Sequence, residues 1–166
     1  MTGTYSQIYI QIVFAVKGRE SLIHRSWEER LYQYITGIIR AKGQKLIAIN
    51  GMPDHIHIFI GMKPSCCLSD LVREIKKSTN DFINENSLTK HSFRWQEGFG
   101  AFSYSRSHIS NVARYIANQK EHHKKVTFKK EFIDQLEEYE IDYDERFLFH
   151  WIENTDAEAI TDPSHE

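Results

Sequence analysis

An α+β fold built on a ferredoxin-like antiparallel sheet is predicted by three observations. Period-two apolar segments and helically spaced apolar segments follow one another as β-α-β-β-α-β. The two central strands are separated only by a short turn, Gly51-Met52-Pro53, which makes them a hairpin. Further helical patterns follow the last strand, and helices are expected on one face of the sheet. Many unrelated activities use this scaffold, so function has to be argued from particular residues.

Residues 5–16 form the first strand, with Ile8, Ile10, Ile12 and Phe14 alternating against Tyr9, Gln11, Val13 and Ala15. Its later part is apolar on both sides, as in a central strand. Lys17-Gly18-Arg19-Glu20 is a turn. Ser26 with Glu29 makes a capping-box pattern ahead of a helix that turns Leu31, Tyr34, Ile35, Ile38 and Ile39 to the core and stops near Gly43. Residues 45–50 and 55–60 are the hairpin strands. Ser69 or a neighbour caps the second helix, whose core side is Leu71, Val72, Ile75, Phe82 and Ile83. A fourth strand is expected over residues 93–104, where Gly98 and Gly100 signal a bulge or a close backbone approach. Ser107 caps a helix running to about His123. Another helix follows over 131–140, then a short element over 146–152.

At 166 residues the chain fits one domain, residues 1–150, followed by an acidic, frayed tail over 151–166. No apolar run reaches the ~20 residues of a membrane span. The N-terminal residues lack the basic start and apolar core of a signal peptide, so a cytoplasmic location is expected. Cys66 and Cys67 are adjacent and offer neither a relaxed disulfide nor a Cys-x-x-Cys zinc pair. The net charge of −2 conceals an asymmetry. Residues 1–130 carry 20 Lys and Arg against 10 Asp and Glu, a balance of +10. Residues 131–166 carry 1 against 13, a balance of −12. The body has the sign of a polyanion binder, and the acidic region is expected to lie away from the binding face or against basic helices.

The chemistry starts at His55-Ile56-His57. On a strand, two imidazoles at i and i+2 share a face with Cα atoms roughly 6.5–7 Å apart, close enough for one metal ion to sit between them. The inert alternative is a pair of hydrogen-bonded histidines on a half-buried strand. Further along, Tyr115 and Gln119 stand at i and i+4, one above the other on a helix whose core stripe is Ile109, Val112 and Ile116. Gln119 can offer an amide oxygen as a third ligand. Mixed nitrogen and oxygen donors without thiolate suit Mg2+ or Mn2+ acting on a substrate oxygen, with zinc left open. Tyr115 is then placed as a nucleophile toward a polarised phosphate.

Three stretches, Met52-Pro53-Asp54-His55-Ile56-His57-Ile58, Gly98-Phe99-Gly100-Ala101-Phe102-Ser103 and Tyr115-Ile116-Ala117-Asn118-Gln119-Lys120-Glu121-His122-His123, closely resemble the single-tyrosine HUH transposases. These are the small transposases of the two-hundred class of insertion sequences and their palindrome-associated relatives. The resemblance spans roughly residues 5–150. It implies that His55, His57 and Gln119 hold the metal and that Tyr115 cleaves single-stranded DNA bearing hairpins. A 5′-phosphotyrosine link and a free 3′-OH would result, and the 3′-OH would later rejoin strands. It further implies a homodimer with joined sheets, in which Tyr115 acts on metal held by the partner subunit. A domesticated hairpin-binding protein and a small-phosphoester hydrolase are the competing readings.

Other residues are candidates for lesser roles. Asp54 either orients a histidine or caps the turn. His122 and His123 are read as contacts to backbone or phosphate rather than metal ligands. Arg73, Lys76, Lys77, Arg106 and Arg114 are candidate DNA phosphate contacts. Trp95 and Phe99 are base-stacking candidates with core packing as the alternative, and Tyr104 is the rival tyrosine.

Overall fold

The computed structural model describes residues 3–152. Four strands, β1 (Tyr9–Ala15), β2 (Lys45–Met52), β3 (His55–Gly61) and β4 (Gly100–Tyr104), form one sheet in the order β2-β3-β1-β4. Every pairing is antiparallel, which is the ferredoxin-like arrangement expected from the sequence. Helices α1 (Arg25–Ala41) and α2 (Leu68–Glu85) make the crossovers. After β4 come a 3-10 turn (Arg106–His108), α3 (Ile109–Ala117), α4 (Gln119–His122), α5 (Phe128–Glu138) and a second 3-10 turn (Glu145–Phe147). Among the described residues no helix is long and apolar enough to cross a membrane.

Strand alternation divides the interior into two cores. Ile12, Phe14, Ile56, Ile58 and Ile60 face α1 and α2, packing on Leu31, Ile35, Ile39, Leu71, Val72 and Ile75. Val13, Ala15 and Phe102 face the other way, onto Phe128, Phe132 and Leu136 of α5, while Phe59 meets Val112 and Ile116 of α3. The helices therefore cover both faces of the sheet, not one as expected. The reason is compositional: β1 is apolar on both sides and β3 adds Phe59 to the second face, and that face needs its own layer.

Several local expectations are corrected. The N-cap of α1 is His24, whose Nδ1 accepts from the Ser26 N–H, and not Ser26 itself. Tyr32 is buried on α1, whereas Tyr34 is more exposed and stacks on Phe82, ring centroids 4.3 Å apart. Cys67 rather than Ser69 precedes α2, without a side-chain cap. The fourth strand starts only at Gly100; Trp95 makes a single bridge to Val16, and its indole N–H donates to Thr79 Oγ1 at 2.8 Å in the core. The expected long helix from Ser107 is interrupted at Asn118. The helix expected over 131–140 begins earlier, because Thr127 caps it by accepting from the Lys130 N–H. The glycine expectation holds: Gly98 adopts φ +84, and a Cβ on Gly100 would lie 2.6 Å from Phe132 Cε2. Of the frayed tail expected over 151–166, Trp151 and Ile152 pack against the two cores, and the rest lies outside the described residues.

Candidate active site

Strand β3 lies between β2 and β1 and turns both histidines away from α1 and α2. Neither ring reaches solvent, and their centroids are 5.0 Å apart. Each ring is held through Nδ1. His55 Nδ1 donates to Asp54 Oδ1 and His57 Nδ1 donates to Gln11 Oε1, both at 2.7 Å. Gln11 is itself oriented, its Nε2 donating to Tyr104 Oη at 2.9 Å. A neutral imidazole that donates from Nδ1 presents a bare lone pair at Nε2.

The helices above the sheet bring the remaining groups. Val112 and Ile116 seat α3 on Phe59, which turns Tyr115 toward the histidines. After the break at Asn118, Gln119 points inward and is fully buried. His123 Nδ1 then donates to the Val126 carbonyl at 2.7 Å, so its Nε2 is a third lone pair. Phe128 stacks on the His55 ring, 3.9 Å between centroids and 3° between planes. One turn into α5, Glu131 enters the site with 2 % of its side chain exposed.

Everything meets at the Glu131 carboxylate. Its Oε1 is 2.9 Å from His57 Nε2 and 3.4 Å from His55 Nε2. Its Oε2 is 3.2 Å from His123 Nε2 and 3.3 Å from His122 Nε2. Gln119 Nε2 donates to Oε2 at 3.1 Å while its Oε1 lies 3.2 Å from His55 Nε2. The Tyr115 phenol donates to Oε2 as well. His123 Nε2 is buried and, though near the carboxylate, has no aligned hydrogen-bond partner.

The electrostatics follow from that crowding. Burial pushes the Glu131 carboxyl up, but His57, His123 and His55 outweigh it and hold the group well below the usual carboxylate range. Burial likewise depresses His55, yet the charge and hydrogen bond of Asp54, helped by Glu131, raise it to about 9. For His57 burial wins and its pKa is lowered. Burial first and the Glu131 charge second raise the Tyr115 phenol above its ordinary value, so it remains a hydrogen-bond donor.

Lone pairs on three imidazoles and an amide oxygen cannot face a carboxylate stably unless protons or a cation lie among them. Ligand atoms of His55, His57, His123 and Glu131 all fall within 4.8 Å of one another. This donor set fits a divalent cation, with Asp54 and Gln11 orienting two of the imidazoles from behind.

The fold thus brings together His55, His57, Tyr115 and Gln119, as the sequence led us to expect. It separates the basic candidates. Arg73, Lys76 and Lys77 lie on α2, across the sheet from Tyr115, and only Arg106 and Arg114 belong to the layer of the site. Lys76 is further committed to the carbonyls of Gln96 and Gly98, at 2.8 and 2.6 Å. Asp54 does orient a histidine. His123 makes the expected backbone contact with one nitrogen but turns the other into the cluster, which the sequence reading did not foresee. Glu131 and Gln11 were missed altogether. Of the acidic region expected to lie away from the binding face or against basic helices, the first residue, Glu131, sits instead at the centre of the site.

The Transposase IS200 like family matches residues 4–119. The chain belongs to this transposase family. The ISDra2 transposase TnpA of Deinococcus radiodurans is 20% identical over 122 residues, covering 70% of this chain and 87% of that protein. Among solved structures, a candidate transposase from Deinococcus radiodurans R1 superposes with a TM-score of 0.58 at 20% identity, covering 72% of this chain and 95% of that one. A REP-associated tyrosine transposase bound to a REP hairpin gives 0.56 at 19% identity, covering 76% and 74%. The IS200-like match ends at Gln119, so His123 and Glu131 lie beyond the part of this transposase that the family describes.

Proposed function

We propose that this transposase nicks and rejoins single-stranded DNA at hairpin-bearing element ends through a 5′-phosphotyrosine intermediate on Tyr115. The observation that carries the reading is the convergence of Tyr115 Oη, Gln119 and the Nε2 atoms of His55 and His57 on one buried point. A divalent ion held by His55, His57 and Gln119, Mg2+ or Mn2+, would supply Lewis acidity toward a phosphate oxygen.

The chain's own residues do the rest. Tyr115 Oη attacks phosphorus; the new P–O bond to the phenol forms as the bond to the 3′ oxygen breaks, and that oxygen leaves as a 3′-OH. The phenolic proton passes along the existing hydrogen bond toward Glu131 and is handed to the departing 3′ oxygen, so that Glu131 ends the step ionised. Asp54 and Gln11 keep the two imidazoles from rotating. In rejoining, a 3′-OH attacks the phosphotyrosine and expels Tyr115, so the phosphodiester energy is conserved in the covalent link.

The hairpin substrate is carried over from the REP-associated relative, which was solved on a hairpin. Arg106 and Arg114 are the basic candidates on the correct layer for its phosphates. Arg73, Lys76 and Lys77 would serve only a strand that wraps the sheet. A homodimer working in the cytoplasm completes the reading. The contact of Tyr115 with Glu131 of its own chain favours a site assembled within one subunit over the partner-supplied tyrosine that the resemblance implies.

The test is incubation with a labelled hairpin oligonucleotide and Mg2+ or Mn2+. A denaturant-stable protein–DNA adduct that Tyr115→Phe abolishes is expected. A salt-sensitive shift without adduct would instead mark a hairpin-binding module, and turnover without adduct a phosphoester hydrolase.

A further inference from the structure

Resting on the reading that the site binds a divalent cation, we infer that Glu131 and His123 are additional ligands that make it prefer first-row transition ions to Mg2+. Both residues come from the segment after Gln119, outside the family-matched region. They would turn a site of two imidazoles and an amide into one of three imidazoles, an amide oxygen and a carboxylate.

Three features support this. His123 is fixed as a lone-pair donor, because a carbonyl takes its Nδ1 proton, and its Nε2 is buried without an aligned partner. Glu131 reaches both His55 and His57 Nε2 through one oxygen, which is where a shared ion would find a carboxylate. Neither residue is a casual visitor. The capped helix α5 is anchored by Phe128, Phe132 and Leu136 against Val13, Ala15 and Phe102, so withdrawing Glu131 means unpacking that core. Imidazole-rich donor sets follow the first-row affinity order, whereas Mg2+ favours oxygen ligands and retains its waters. Five protein donors would leave such an ion little room beyond a single phosphate oxygen.

The experiment titrates the full chain, freed of metal by chelation, separately with Zn2+, Mn2+ and Mg2+ in a calorimeter. One site is expected, with Zn2+ and Mn2+ binding about two orders of magnitude or more tighter than Mg2+. Glu131→Gln and His123→Ala should each weaken Zn2+ binding by at least ~10–100-fold, while Glu138→Gln, an exposed acid on the same helix, leaves it unchanged. X-ray absorption of the zinc-loaded natural protein should count three imidazoles, which decides the matter even where a variant fails to fold. Two imidazoles, or unchanged affinity in either ligand variant, overturns the inference while leaving the two-histidine site intact. No binding of any of the three ions overturns the inference and the metal-dependent reading together.

Discussion

Gln11 accepts the Nδ1 proton of His57 at 2.7 Å across 46 residues of sequence. The contact is possible because Gln11 on β1 is diagonal to His57 on β3: His57 pairs with Val13, two residues along on the same face. One amide thus links the rival tyrosine, Tyr104, to a histidine of the candidate metal site. Gln11→Leu leaves that buried N–H without an acceptor, at a cost of ~1–3 kcal/mol, or lets the ring change tautomer and lose its Nε2 lone pair. Ion affinity measured by calorimetry should fall by ~10–100-fold, and Gln11→Glu, which restores an acceptor, should recover part of it.

The hairpin that presents the histidines depends on a missing side chain. Gly51 pairs with Ile56, and a Cβ there would lie 2.9 Å from Ile56 Cα and collide with the His55 carbonyl. Gly51→Ala should therefore destabilise the chain by ~1–3 kcal/mol, seen as a lower Tm in thermal unfolding. An unchanged Tm would mean that the hairpin tolerates separation at its closest point.

Gln11 and Glu131 mark the limit of what could be read from the sequence. Period-two alternation exposed the strands, and the His55–His57 spacing survives folding; Tyr115 and Gln119 still meet, on Glu131, although the helix expected to carry both is broken at Asn118. Gln11 looked like one polar residue in an apolar strand, and only sheet register gives it a partner. Glu131 was submerged in a run of acidic residues, and only the packing of α5 on Val13 and Ala15 singles it out. The second helical layer could have been inferred from the apolar character of both faces of β1. Its order above the sheet could not, since the break at Asn118 has no marking Gly or Pro.

A pH dependence follows from His55. Its pKa is raised from 6.5 to about 9 by Asp54 and Glu131 against the opposing effect of burial. The stabilising proton is fully bound below 6.5 and lost as pH rises through about 9. With chelator present, stability toward urea should decline across that window. Asp54→Asn should flatten the decline, and an equally steep decline in that variant would assign it to other groups.

The two layers also predict different DNA contacts. Arg114 is exposed on α3 beside the site, whereas Arg73 is exposed on α2 and paired with Asp70 at 2.9 Å. Arg114→Ala should weaken hairpin binding and lower its salt slope by about 1, while Arg73→Ala should leave both unchanged. Filter binding across a salt series checks this, and equal losses in the two variants would indicate a strand path around the sheet.

The most direct measurement is to digest the covalent protein–DNA adduct and locate the modified residue by mass spectrometry. A phosphodiester on Tyr115, with the other product strand ending in a 3′-OH, is the expected result. A link at Tyr104 or elsewhere, or cleavage that leaves no protein-bound phosphate, would contradict the assignment of Tyr115 as the nucleophile.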